Sequence, residues 1–499
     1  MRPGPHTRWL LLITVAAGLL LITLDNSVLY TALPTLAHDL GASQTQALWI
    51  INAYPFVMAG LLLGTGTLGD RVGHRRMFLV GLVIFGAASL MAAFAPTANL
   101  LIVGRALLAV GAAAMMPATL ALIRMAFEDE RERNLAIAVW GCLSIVGSAL
   151  GPIIGGILLE HFWWGSVFLI NVPIVVLAAC GARAFAPEGR RDPSKLWDLT
   201  SSLLALSTLS GLVLAIKAIA HTQPSWGQAA AALAVALTSG VLFARRQSTL
   251  SYPMLEFSIF RNPAFLSGTL AAAFAMFAIG GLQLLTTQRF QLVGNYSPMA
   301  AGLLVSAVAL GSLPSALLGG AYLHRVGLRV LISGGLGLGA IGIAIVSVGL
   351  AHGVGWVAFG LVFTGLGVGA TMAVASSAII GNAPAERTGM ASSVEEVSYE
   401  FGSLIAVALL GSLVAALYSA SLELPAGIGE FARTDVAAAL ALAREHGRAD
   451  LALAAGTAYD AAYITVLHLI ATVMMIGAIV TGVLLRPCQP GSTTSMASH

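Results

Sequence analysis

Residues 66–76 read GTLGDRVGHRR. Two apolar runs flank this stretch, one near 46–68 and one near 77–95. Each is about the 20 residues a helix needs to cross a bilayer. Between them, glycines set a tight connection, and Asp70, Arg71 and Arg75 place both signs of charge at a membrane edge. A weaker echo, GGAYLHRVGLR at 319–329, separates the runs near 298–320 and 328–350. Two copies of one turn at matching positions predict two related halves. Such internal repeats are expected of secondary transporters, whose sites lie near the midplane at the repeat interface.

Working outward, ten further stretches complete the pattern. Fourteen apolar runs are predicted, near 9–32, 46–68, 77–95, 99–122, 135–159, 164–185, 199–219, 228–244, 264–288, 298–320, 328–350, 354–379, 390–418 and 459–485. The composition agrees. The 499 residues are 58% hydrophobic and 9% charged, with a mean hydropathy of +0.89, against about 25% charge in a soluble domain. The fold class expected is therefore an all-α polytopic membrane protein. The organisation expected is an N-terminal six-helix bundle (1–185), a linker with two additional spans (186–262), a C-terminal six-helix bundle (263–485) and a tail (486–499). The C-terminal bundle includes an outside loop, 419–458. Within that loop, TDVAAALALAREHG (434–447) has a Thr/Asp start and a glycine stop, the signature of a short capped helix.

An even number of spans puts both termini on one side. Nineteen of the 25 Lys and Arg residues fall on that side and five on the other. By the positive-inside rule the termini are cytoplasmic. The apolar run from Trp9 to Leu24 is too long for a signal-peptide core and lacks a small-x-small cleavage site, so it is expected to be an uncleaved first span.

Several chemistries have no support. A net charge of +3 leaves no electrostatic footprint for nucleic acid. The three cysteines, Cys142, Cys180 and Cys488, have neither disulfide nor zinc spacing. Neither lysine, Lys195 or Lys217, follows a glycine, so no phosphate-cradling P-loop exists. Two GxGxxG matches, at 64–69 and 337–342, lie at the end of one apolar run and inside another. Glycine there permits close helix packing. No metal site and no cofactor are expected.

The loop at 66–76 resembles the pattern G-x-L-x-D-R-x-G-[RK]-[RK] of the major facilitator superfamily, with His74 where a basic residue is usual. GPIIGG (Gly151, Pro152, Gly155 and Gly156 within it) matches the antiporter motif of its drug:proton antiporters. LDNSVLYTALP (24–34) matches the fourteen-span branch, and SSVEEVSYEFG (392–402) looks like the acid-bearing helix of quaternary-ammonium exporters in that branch. Three departures limit the carry-over. Ala109 and Gly111 replace the usual single glycine after Arg105, His324 replaces the aspartate in the second-half turn, and the tenth span carries no acid, with Ser312 in that region. The resemblance implies a monomeric, non-enzymatic antiporter in the bacterial inner membrane. It would export lipophilic mono- and divalent cations (quaternary ammonium biocides, dyes, methyl viologen), driven by a proton gradient. The alternative is an exporter of another solute: a siderophore, an amino acid or an anionic antibiotic.

Ionisable groups deep in spans are functional hypotheses by default, because each costs roughly 2.5–3.5 kcal/mol at a helix centre. Five qualify: Asp25, Arg105, Glu395, Glu396 and Glu400. A carboxylate in a low-dielectric site favours its neutral form until a cation arrives, so proton and cation compete for it. Asp25 is expected as a proton relay or cation contact, or else in a helix–helix hydrogen bond. Arg105 tunes a neighbouring carboxylate or pairs with one. Glu396 and Glu400, four apart, share a helix face, while Glu395 points about 100° away. Cation walls need aromatic faces and adaptable side chains. The candidates are Tyr30, Trp49, Tyr54, Met58, Met115, Trp140, Met276, Phe277, Gln283 and Tyr399. The turn residues Gly66, Asp70, Arg71, Gly73 and Arg75 are expected to act in conformational change, and Asn171 in FLINVP (168–173) to cap or pack.

Overall fold

The structure is a computed structural model, which describes residues 5–127, 129–188, 198–220, 225–250, 253–383, 388–423, 433 and 435–488. The apolar runs fold as helices because a chain in lipid must satisfy every backbone N–H and C=O internally. Sixteen helices result among the described residues: α1 (Pro5–Asp39), α2 (Gln44–Val72), α3 (His74–Ala93), α4 (Ala98–Ala126), α5 (Glu130–His161), α6 (Ser166–Leu169), α7 (Asn171–Phe185), α8 (Leu199–Ala220), α9 (Trp226–Thr249), α10 (Pro263–Gln288), α11 (Pro298–Val326), α12 (Leu328–His352), α13 (Val354–Ile380), α14 (Thr388–Ser421), α15 (Val436–Glu445) and α16 (Ala449–Leu484). Among the described residues, thirteen stretches are long and apolar enough to cross a membrane. In α5 only the shorter apolar stretch Val146–His161 is recorded among the described residues. The whole helix has 32 residues, or about 48 Å at 1.5 Å per residue, and it stands where the fifth run was predicted.

Local chemistry sets the helix ends. Ser43 and Gln46 form a reciprocal capping box at α2, and Thr97 caps α4. Asn262 and Ser297 cap α10 and α11, each followed by a proline that needs no donor. Asp435 accepts from the Ala437 N–H to open α15, and Gly447 at φ +59° follows its end. The capped helix read from the sequence is therefore present. The segment 424–432 before it, the linker stretch 189–197 and the tail beyond 488 lie outside the described residues.

Three boundaries differ from the sequence reading. The glycine-led loop at 66–76 is mostly helix: α2 continues through Gly66 and Gly69 to Val72, and only Gly73 turns. Its φ of +102° is one that glycine adopts at no steric cost. Gly327 at φ +85° makes the matching turn between α11 and α12. The sixth run is broken into α6 and α7 at Ile170. Pro173 has no N–H for the Leu169 carbonyl, which interrupts the ladder there. The last span begins at Ala449, ten residues earlier than read, because the segment before Tyr459 is alanine-rich and continues the helix.

By internal contacts the chain forms two units. One comprises Met1–Leu209, Ala236–Ile259 and Ala383–Glu400. Within it α1 packs on α5 and α7, α2 on α4, and α3 on α4 and α7. The other comprises Ser210–Val235, Phe260–Asn382 and Phe401–His499, where α13 packs on α10, α11 and α12, and α16 on α10, α12 and α15.

Candidate functional site

The site begins where α1 meets α4. Each of these apolar helices buries one charge, so the two buried charges compensate each other. Arg105 Nη1 donates to Asp25 Oδ2, and both side chains have 0% exposure. The rest of the guanidinium is also satisfied: Nη2 donates to Asn26 Oδ1 at 3.0 Å and Nε to the Ile50 carbonyl of α2 at 3.1 Å. The guanidinium stacks on Tyr54, 4.7 Å from the ring centroid. The second Asp25 oxygen accepts from Asn171 Nδ2 at 2.8 Å, and the same amide reaches Ser89 Oγ at 3.3 Å. Asn171 opens α7 at the proline break, so the break places an amide where an unbroken apolar helix would have none. Five helices thus converge on one ion pair.

The antiporter motif shapes the wall behind it. Gly147, Gly151 and Gly155 recur every four residues along one face of α5, against Thr23, Ser27 and Val28 of α1. A Cβ at Gly151 would lie 2.5 Å from Ser27 Cβ and 2.9 Å from the Val28 nitrogen. Ser27 Oγ donates to the Ser148 carbonyl at 2.6 Å. Asp25 is therefore on the helical turn of α1 that α5 approaches most closely. Pro152 and Gly156 are buried in the same helix.

The acids of α14 form the second part. Glu395, 7% exposed, accepts from the Tyr399 hydroxyl at 2.9 Å, one turn along the helix. Glu396 and Glu400 are partly exposed and make no hydrogen bond or ion pair among the described residues. Tyr54 lies within electrostatic range of Asp25, Arg105, Glu396 and Glu400, and Arg105 within range of Glu400. Glu395 is thus held by Tyr399, while Glu396 and Glu400 lie within electrostatic range of Tyr54. Among the described residues, four buried polar atoms on α2 and α7 have no protein partner. They are both amide atoms of Asn52, the Tyr54 hydroxyl and Asn171 Oδ1. Such atoms ask for water or for a polar group of a ligand.

The wall candidates divide. Tyr30, Tyr54, Met58 and Met115 are buried in the first unit, while Trp49 and Trp140 are partly exposed there. Trp49 packs edge-on against Phe56 at 5.8 Å, and the Trp140 indole N–H is buried without a partner among the described residues. Met115 fills the α3–α4 contact at Gly81, which makes it a packing residue. Phe277 and Gln283, both buried, and the partly exposed Met276 belong to the second unit. In the turn, Arg71 is exposed, and Arg75 donates to the Arg183 carbonyl at 2.6 Å and to Glu188 Oε1 at 3.1 Å. The Asp70 side chain lies outside the described residues. Sequence reasoning missed Asn26, Asn52, Ser89 and the Asp25 contact of Asn171. Their common signal was a small polar residue inside an apolar run.

Comparison with known proteins fits this architecture. The Major Facilitator Superfamily profile matches residues 15–294 and 291–429. Methyl viologen resistance protein SmvA of Salmonella typhimurium is 40% identical over 428 residues, covering 84% of this chain and 85% of that protein. Multidrug efflux pump LfrA of Mycolicibacterium smegmatis is 40% identical over 427 residues, 85% and 84% of the two chains. The crystal structure of a bacterial homolog to the human lysosomal transporter Spinster, inward-facing and occupied, superposes with a TM-score of 0.68 over 97% of this chain and 98% of that one, at 14% identity. The chain is a multi-pass membrane protein and belongs to the Major Facilitator Superfamily of transporters.

Proposed function

We propose that this transporter exports lipophilic organic cations, mono- and divalent, in exchange for protons. The observation that carries the reading is the charge balance of the site. Among the described residues, four carboxylates set within apolar spans, Asp25, Glu395, Glu396 and Glu400, belong to one unit together with one buried guanidinium, Arg105, which is already paired with Asp25. Glu396 and Glu400 are left as acids that hold a proton or face a cation, beside the rings of Tyr54 and Tyr399. Similarity to pumps named for methyl viologen and multidrug efflux supports this substrate class. An anionic solute would meet an acid excess.

Two exchanging acids suit the energetics. One inward proton supplies about 2.3 kcal/mol per 100 mV and about 1.4 kcal/mol per pH unit. Outward movement of a dication costs twice the electrical work of a monocation, so two protons make the exchange electroneutral. In this reading Glu396 and Glu400 carry the exchanged charge, and the buried Asp25–Arg105 pair holds α1, α2, α4 and α7 in register around it. The basic-residue bias supports cytoplasmic termini in a bacterial inner membrane. The driving force is the proton gradient, and the working unit is a monomer.

The test is transport in proteoliposomes under an imposed pH gradient, with ethidium as monocation and methyl viologen as dication. Both should move, and Glu396→Gln and Glu400→Gln should each depress dication transport more than monocation transport. Gradient-independent flux of both cations, or unchanged dication transport in both variants, would refute the assignment. Export of an anionic antibiotic or a siderophore in place of the cations would favour the alternative solute class.

A further inference from the structure

A second polar site lies apart from the acids, at the α2–α3 turn. A cavity of about 320 Å³ opens between this turn and the end of α7. Arg75, Arg76 and Arg183 line it, together with Leu79 and the single acid Glu188. Gly73 permits the cluster: its positive φ ends α2 in one residue, so α3 starts at once and presents Arg75 and Arg76 beside α7. Arg75 is held in place by the Arg183 carbonyl and by Glu188, whose side chain is 86% exposed. Arg76 and Arg183 are exposed, and their guanidinium groups make no hydrogen bond or ion pair among the described residues. Among the described residues, three guanidinium groups against one carboxylate give the lining a net charge of +2.

The surroundings identify the class of anion. Beyond the arginines, the outer faces of α3 and α7 are apolar and exposed: Val80 is 51% exposed, Val83 66%, Val176 54% and Leu177 73%. A free phosphate would use only the arginines. A phospholipid would use both surfaces, with its phosphate between the guanidinium groups and its chains along the valine and leucine faces. Basic pockets of this kind at membrane-helix ends suit anionic headgroups. We propose that this cavity binds the headgroup of an anionic phospholipid, with Arg76 and Arg183 as the phosphate ligands and Glu188 as the built-in competitor for that position.

The test uses the purified full-length protein in detergent, titrated with phosphatidylglycerol or with phosphatidylcholine of equal chain length. Adducts are read by native mass spectrometry. Phosphatidylglycerol should be retained about tenfold better than phosphatidylcholine, and the double variant Arg76→Gln/Arg183→Gln should bring the two lipids close to parity. Glu188→Gln should strengthen phosphatidylglycerol retention, a gain that a misfolded protein would not show. Equal retention of both lipids by the wild type would overturn the proposal, as would a Glu188→Gln variant with unchanged retention. Inorganic phosphate should not displace the lipid; if it does so at equal concentration, the cavity is a free-phosphate site and the lipid assignment falls.

Discussion

Two of the arginine–aspartate pairs that tie helices together, one inner and one outer, differ in almost everything except their chemistry. Arg105–Asp25 joins α4 to α1 with both side chains at 0% exposure. Arg289–Asp460 joins the end of α10 to α16 with exposures of 16% and 30%. The outer pair is a two-pronged fork at 2.9 and 3.0 Å, with the guanidinium over Phe290. The inner pair is held by a network instead: Asn26, Asn171, the Ile50 carbonyl and the Tyr54 ring. The fork has water to fall back on when it breaks, and the network does not. Removing one partner of a buried pair leaves an uncompensated charge and costs about 3–5 kcal/mol, whereas an exposed pair is worth about 0–1 kcal/mol.

The largest effect expected follows from that contrast. Arg105→Met should lower stability by about 3–5 kcal/mol, read as a drop in the thermal unfolding midpoint in detergent, and should abolish cation export. The double variant Asp25→Leu/Arg105→Met should recover most of the stability, because no lone charge remains. Its export shows whether the charges do more than hold the helices together. A single variant as stable as the wild type would remove the buried pair from the stabilising core.

Asn171 sharpens the same comparison at smaller scale. Asn171→Leu deletes one hydrogen bond to a charged group and should cost about 1.5–3 kcal/mol. The variant also frees Ser89 from its contact. If unfolding is unchanged while export falls, the amide serves function and not the fold.

The outer pair gives the contrasting outcome. Arg289→Met should shift stability by no more than about 1 kcal/mol, with the Phe290 contact partly kept by the methionine. A loss as large as that of Arg105→Met would mean that exposure is a poor guide to the worth of these pairs.

The difference between the two pairs also marks what the sequence could show. Asp25 and Arg105 were legible because a charge in an apolar run is conspicuous, and the Glu396/Glu400 face followed from helical spacing alone. Their pairing was not, since it depends on α1 and α4 approaching within hydrogen-bond reach. Asn171 was misjudged because Pro173 acts at a distance: the missing N–H breaks the helix, and the break aims the amide. The turn at 66–76 was over-read as a loop, because glycines look like turn residues while only Gly73 adopts a positive φ. Span number followed from hydropathy, but helix ends followed from caps and from alanine-rich extensions such as 449–458, which a hydropathy window undervalues.

A third pair joins a largely buried acid to an exposed base and tests which partner's burial sets the scale. Asp198, just ahead of α8, takes Arg246 Nε at 2.9 Å and Nη2 at 3.0 Å, with side-chain exposures of 12% for the aspartate and 40% for the arginine. Its Oδ1 also accepts from the Ser201 N–H at 3.1 Å, so it caps α8 as well. Burial disfavours the charged form, but the hydrogen bonds from Arg246 and Ser201 outweigh it and hold the carboxyl below the ordinary 3.8. A group whose folded value is depressed stabilises the protein above its unfolded value and loses that contribution as pH falls through the folded one. The stability gap between wild type and Asp198→Asn should therefore be constant near neutral pH and close only below about pH 4. Asparagine keeps the cap and removes the charge, so the gap isolates the ion pair, while Asp198→Ala removes both. The absence of a gap between wild type and Asp198→Asn at any pH would show that the cap alone matters at this helix end.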